Sequence, residues 1–301
     1  MEDNVMKNRL KPGPLTFAAY ILPSFLLYTF IVFVPIVVAA YYGFFDWSGG
    51  TAKKFIGLEN YRTLMTDQRF FKALGNNLFL IVFCAIGQIG LAFIFAMLLE
   101  SRVAKLKSFH RTVSFFPSVL SAVVIGFIWS MIYDYNYGLI NTLLKATGLK
   151  DKVQPWLSNE KIVVLLVTIP LIWQYVGYYL IIIVSAIASV DSSIFEMAEI
   201  DGATGWKKAV HITLPLIKNT ITVCITLCIA GNMKAFDHIW TLTGGGPGTA
   251  SEVVALYAYK TSFLSQKMGY GSAVSIGILV ISLVFVGVIR FVMGQITKEK
   301  E

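Results

Sequence analysis

The sequence predicts an all-α integral membrane protein with six membrane-spanning helices, and three observations predict it. Of its 301 residues, 56% are hydrophobic and only 14% are charged. A soluble domain carries roughly a quarter charged residues, and the mean hydropathy here is +0.69. Five windows contain no Asp, Glu, Lys or Arg at all: Pro12–Phe45, Ala73–Leu99, Thr112–Tyr133, Ile162–Val190 and Met268–Ile289. Each is long enough to cross a bilayer as helix, which takes about 20 apolar residues, and far longer than a barrel strand of about ten. Lastly, basic residues gather between the windows rather than along a helix face. The net charge of +8 therefore belongs to loops, and no nucleic acid is expected as a partner.

Residues 1–14 form a tail with Lys7, Arg9 and Lys11, expected to be cytoplasmic. The apolar run behind it is too long for a cleaved signal segment, so a first membrane helix is placed at 15–45, containing Pro23 and Pro35. A loop with "FIGLENYRTLM" leads to a helix at 73–99. A tight basic turn, with Arg102, Lys105, Lys107 and Arg111, joins it to a helix at 112–133. After "DYNYGLINTLL" and "QPWLSN" comes a helix at 162–190, expected to kink at Pro170 because proline removes a helical donor. Asn219–Met233 is short for a span between Lys218 and Lys234. It reaches full length, 209–235, if the helix starts near Ala209 and Lys218 snorkels to the headgroups. The Gly-rich "TLTGGGPGTASE" separates it from the last helix, 268–291.

No internal repeat is visible, and 73–293 reads as one membrane domain. Six spans put both termini on one side, and basic density favours the cytoplasm only mildly. Cys84, Cys224 and Cys228 lie inside predicted spans, where cysteine acts as a small apolar residue. Neither a disulfide framework nor a metal site is expected from them.

One segment breaks the apolar pattern: "EMAEIDGATGWKKAVHITLPLIKNT", Glu196–Thr220. Ser193 and Glu196 have capping-box spacing, which predicts a short helix from Ile194. Ile194, Met197 and Ala198 then share a face, with Glu199 on another. Gly202 permits a turn, a second helical piece starts near Gly205, and Pro215 takes a first turn or a kink. By itself this reads equally well as a surface loop with a capped helix.

The same residues match a longer pattern: Glu-Ala-Ala, three residues, Gly, nine residues, Ile-x-Leu-Pro. Glu196, Ala198, Gly202, Ile212, Leu214 and Pro215 fall in register, and Met197 replaces the first Ala. The chain thus resembles permease subunits of binding-protein-dependent ABC importers. "IGLENY", "NYGLIN", "PWLSN", "EIDGA" and "FDHIWTLTGGGPG" resemble their carbohydrate-uptake branch, which holds the larger maltose-transporter permease and the sugar and glycerol-phosphate permeases.

That resemblance implies a type I ABC importer transmembrane domain in a bacterial plasma membrane, with both termini cytoplasmic. Residues 191–215 become a coupling loop in which Glu196, Ala198, Asp201, Gly202, Ile212, Leu214 and Pro215 engage an ATPase. The implied partners are a second permease chain in a heterodimer, two ATPase subunits and an extracytoplasmic solute-binding protein. The implied substrate is a sugar or oligosaccharide, with a polyol or glycerol phosphate as the alternative.

No phosphate-binding Gly-x4-Gly-Lys-Ser/Thr occurs, and Gly205-Trp206-Lys207 lacks its spacing. Catalytic residues, metal and cofactor are therefore not expected on this chain; ATP and Mg belong to the ATPase partner. For the substrate pathway the candidates are Asn232, Phe236, Trp173, Tyr178, Trp129 and Ser275, since aromatic faces, amides and hydroxyls suit a sugar. Trp and Tyr also mark membrane interfaces without further function, and Ser also packs helices. Asn232 leads, because a buried amide is costly without partners. Lys234 and Asp237, at i,i+3, are expected to pair. A self-sufficient secondary carrier would need ionisable residues deep in the spans, and the five windows have none.

Overall fold

The computed structural model describes residues 13–101 and 105–298. The tail lysines and arginine before residue 12, Arg102 of the basic turn and residues 299–301 lie outside the described residues. Backbone contacts divide the chain into two compact units, one of Met1–Thr66 with Thr261–Gly277 and one of Asp67–Lys260 with Ile278–Glu301.

In the first unit, α1 (Leu15–Tyr42) is a membrane-length helix whose central window buries nothing. Lipid is the natural environment for such a face. The helix ends in a feature that the sequence did not predict, a hairpin of β1 (Phe45–Trp47) and β2 (Lys53–Phe55). A short helix, α2 (Glu59–Leu64), follows. Its buried Asn60 donates to the carbonyls of Gly43 and Phe45 at 3.0 and 2.9 Å, closing the turn between α1 and β1.

The second unit opens with α3 (Gln68–Glu100), which contains one π-helical turn at Ala85–Gly90. Next come α4 (Lys107–Val119) and α5 (Ala122–Ile132), then the short α6 (Leu139–Ala146). The long α7 (Val163–Ala188) is the most buried of the membrane-length helices. It packs on α3 through a cluster including Leu80, Cys84, Leu171, Leu180 and Ile183. Beyond it lie α8 (Ser192–Ile200), α9 (Gly205–Leu216) and α10 (Lys218–Asn232). Two short helices follow, α11 (Asp237–Thr243) and α12 (Val254–Tyr259). The last helix, α13 (Met268–Lys298), belongs to both units.

Among the described residues, four helices are long and apolar enough to cross a membrane alone, and up to six spans result when each of two bent pairs counts as one. The helix expected at 112–133 is two pieces, α4 and α5, at 97°. Leu120 is extended between them, and the Ser121 hydroxyl accepts from the Val123 amide to start α5 afresh. The helix expected at 209–235 is likewise α9 and α10 at 78°, broken at Ile217, two residues past Pro215. Conversely, α7 runs on through Pro170. Proline there leaves the Leu166 carbonyl without its helical donor, and the buried Tyr133 hydroxyl supplies one at 3.0 Å.

At Gly177 the backbones of α7 and α4 meet. A Cβ there would overlap the Ser114 carbonyl and come within 2.6 Å of the Phe115 nitrogen. Gly177→Val should therefore destabilise the fold by at least about 1–3 kcal/mol, the usual penalty for overpacking. The apparent melting temperature in detergent should fall. Gly287→Val, whose Cβ would meet nothing within 4 Å, should leave it unchanged.

Candidate functional site

The segment 191–215 folds into helix, turn and helix, with caps that differ from those expected. Asp191, not Ser193, is the N-cap of α8: its carboxylate accepts from the Ser193 amide at 2.9 Å. That bond holds the Asp191 carboxyl below the usual carboxylate range. The helix accordingly starts at Ser192 rather than Ile194, and Glu196 stands in solvent without closing a capping box. Asp and Ser are comparable caps, so the acidic residue two positions earlier was a signal that could have been read.

At the other end, the Ala203 amide donates to the Ala198 carbonyl at 2.8 Å and the Gly202 amide to that of Glu199 at 3.1 Å. This is a Schellman closure, which requires a left-handed residue. Gly202 provides it with φ +79°, and Asp201 is the C-cap before it.

Ala198 turns inward, whereas Met197 is 56% and Ile200 85% exposed. The face expected to unite Ile194, Met197 and Ala198 is therefore split. Across the turn, Lys208 of α9 meets Glu199 at 3.0 Å and lies over the Phe195 ring at 4.9 Å. Ile212, Leu214 and Pro215 follow along α9, whose stretch Ala209–Thr213 is π-helical. Trp206 is exposed beside them. The result is a capped and braced helix showing Met197 and Ile200 outward.

A second site lies within the same unit. A cavity of about 300 Å³ is lined by Asn232, Phe236 and Tyr178 together with Tyr175, Tyr179 and Gln88. Asn232 is 5% exposed; its amide nitrogen donates to the Cys228 carbonyl at 2.8 Å, and its Oδ1 has no partner. A buried acceptor left unmet is uncommon and costly. Gln88, on the π turn of α3, donates to the Leu171 carbonyl and accepts from the Cys228 thiol. His238, which also lines the cavity, lies 2.6 Å from Gln174.

Trp129 and Trp173 meet edge to face at 6.1 Å in an aromatic cluster with Tyr133 that does not line the cavity. Ser275 belongs to the first unit and bonds the Gly271 carbonyl of its own helix. Gln88, Gln174 and Tyr175 were missed in the sequence. The amides were legible by the argument that picked Asn232, as polar groups inside charge-free windows.

Lys234 and Asp237 both line the cavity but do not pair with each other. The helix ends at Asn232, and Phe236 takes φ −135°, ψ −58°. Without helical geometry, i,i+3 spacing no longer brings side chains together.

The Gly-rich loop is held by a residue that the sequence reading passed over. Glu252 is 1% exposed; it receives Arg69 through two bonds of 2.7 and 2.8 Å and Lys260 at 3.2 Å. Asn76 donates to the carbonyls of Ala250 and Glu252, and Tyr257 donates to Asp67. Asn77 bonds the Asn232 carbonyl at 2.9 Å and accepts from the Val254 amide at 2.8 Å.

Residues 88–297 match the family described as binding-protein-dependent transport system inner membrane component. The chain belongs to that family. This permease is accordingly a multi-pass membrane protein and a transport subunit. It is 36% identical to a probable ABC transporter permease, YurN, of Bacillus subtilis, across 88% of this chain and 91% of that one. It is 31% identical to the multiple sugar-binding transport system permease MsmF of Streptococcus mutans, across 93% and 94%. A crystallised bacterial ABC transporter involved in alginate import contains a chain of the same fold. The TM-score is 0.81 at 22% identity, covering 93% of this permease and 96% of that chain. The helical type I importer architecture expected from the sequence is thereby the observed one, with the hairpin of β1 and β2 added to it.

The ion cluster of the Gly-rich loop yields a prediction. Glu252→Leu leaves Arg69 and Lys260 facing a buried apolar group. Removing one partner of a buried pair costs about 3–5 kcal/mol, and the low end applies because Arg69 is half exposed. A lower melting temperature and faster proteolysis within 244–253 should both be measured in detergent.

Proposed function

We propose that this permease forms, with a second permease chain, the membrane pathway of an ATP-driven importer for a sugar or oligosaccharide. The substrate arrives from an extracytoplasmic binding protein. Two ATPase subunits bind ATP and Mg and supply the energy; this chain carries no cofactor. The observation that carries the reading is α8: a helix closed at both ends, braced by Lys208, with Met197 and Ile200 exposed. A membrane subunit without a phosphate-binding loop has to receive motion through contact. An exposed apolar pair on a rigid helix suits a cleft in a soluble partner. Glu196, Ala198, Asp201, Gly202, Ile212, Leu214 and Pro215 set or flank that surface, which faces the cytoplasm with both termini.

The cavity at Asn232 is the proposed sugar contact. Its aromatic rings offer stacking faces, and the unmet Asn232 oxygen offers an acceptor to a hydroxyl. Support for the sugar class comes from the relatives, one of which is the diacetylchitobiose uptake permease NgcF of Streptomyces coelicolor. A self-sufficient carrier is the lesser reading; concentrative sugar uptake by liposomes holding this chain alone would establish it instead.

Two experiments test the proposal. In a background without native cysteines, Thr249→Cys in intact cells should react with a membrane-impermeant thiol reagent and Ser193→Cys should not. The reverse pattern reverses the orientation. For coupling, Gly202→Val forces a β-branched residue into left-handed backbone, at a cost of about 1–2 kcal/mol. A Cβ there meets no atom within 4 Å, so the penalty is conformational rather than a clash. Coupling between sites is typically about 1–3 kcal/mol, and stimulation of the ATPase by loaded binding protein should fall roughly five-fold or more. The ATPase subunits should still co-purify. Wild-type stimulation in this variant would reduce the loop to a linker.

A further inference from the structure

A cavity of about 330 Å³ opens between the end of α3, the start of α4 and the flank of α7. Phe95, Leu98, Leu99 and Leu180 form its apolar walls, and Lys105 and His110 stand at its edge. Leu99 and Leu180 are buried, whereas Phe95 and Leu98 are exposed. Leu180 lies eight residues before the end of α7, or about 12 Å of helix rise.

Among the described residues, the unpaired charge at this edge is positive. His110 and Ser114 line the slot, and Lys107, at i−3 from His110, continues the same stripe of α4. Lys105 and Lys107 make no ion pair among the described residues; Arg111 nearby is taken by Glu100 at 3.2 Å. The amides of the first turn of α4 also lack a side-chain cap, which adds positive potential at the same edge. A sugar has no acyl part to fill the walls, and a free phosphate has no use for them. One class of molecule presents both an anionic head and a hydrocarbon tail at this depth.

We propose that this slot is a binding site for an anionic phospholipid, with the phosphate at Lys105 and Lys107 and an acyl chain along Leu98, Leu99 and Leu180. Basic pockets between membrane helices hold anionic lipid heads in this manner. The site is separate from the Asn232 cavity and from α8, and it does not depend on the transported substrate.

Native mass spectrometry of the full-length chain in detergent tests it, with phosphatidylglycerol, phosphatidylcholine or inorganic phosphate added in parallel. Wild-type protein should retain phosphatidylglycerol roughly ten-fold or more over phosphatidylcholine. In Lys105→Glu/Lys107→Glu the ratio should drop to near one. Lys105→Gln/Lys107→Gln gives the same readout should the charge reversal fail to fold. Leu98→Trp, which fills the slot and leaves the charges in place, should reduce retention of phosphatidylglycerol. Equal retention of the two lipids, an unchanged ratio in the lysine variants, or phosphate binding without lipid preference would each overturn the proposal.

Discussion

Hydrocarbon offers a peptide group no water, so every backbone donor and acceptor within a bilayer must find its partner inside the protein. This permease breaks its helices repeatedly and meets that demand with side chains. Pro170 strips the Leu166 carbonyl of its donor, and the Tyr133 hydroxyl replaces it. The bend after α4 frees the Leu120 carbonyl, and Gln174 donates to it at 2.9 Å. Where α10 ends, Asn77 donates to the Asn232 carbonyl. Where α11 ends, Lys260 donates to that of Gly244 at 2.7 Å. At these four places two amides, a phenol and an ammonium stand in for missing backbone partners. Two of these breaks border the cavity at Asn232: its backbone carbonyl is the one that Asn77 holds, and Gln174 bonds His238 of the cavity lining.

How much of this the sequence discloses depends on the physical quantity concerned. Length and absence of charge locate membrane segments well, since the cost of a charge in lipid is large and local. Direction is another matter. A hydropathy window sums Thr112–Tyr133 without registering that Leu120 turns the chain by a right angle, and no proline sits at either bend point itself. The hairpin at Phe45–Phe55 hides for a similar reason: its strands are three residues long and flank a polar turn. At Gly202 the reading and the structure agree, because one backbone conformation excludes nearly all other residues. At Asp191 and Ser193 two comparable caps compete, and composition does not choose between them.

Pairs far apart in sequence were the least legible. Arg69 and Glu252 are separated by most of the second unit, and neither stands out in a list of loop charges. Their meeting follows from the packing of α12 against α3, which no local pattern encodes. Lys234 and Asp237 teach the converse. Close spacing implied a pair only on the premise of a continuing helix, and the chain leaves the helix one residue before Lys234.

Asn77 has a mechanical meaning beyond its hydrogen bonds. One short, fully buried side chain grips the backbone at two places, the end of α10 beside the cavity and the start of α12 after the Gly-rich loop. A side chain with so few torsions acts as a rigid crosspiece. Displacing the start of α12 from the end of α10 would break at least one of these two bonds. A single amide thus ties the exit of the Gly-rich loop to the edge of the cavity.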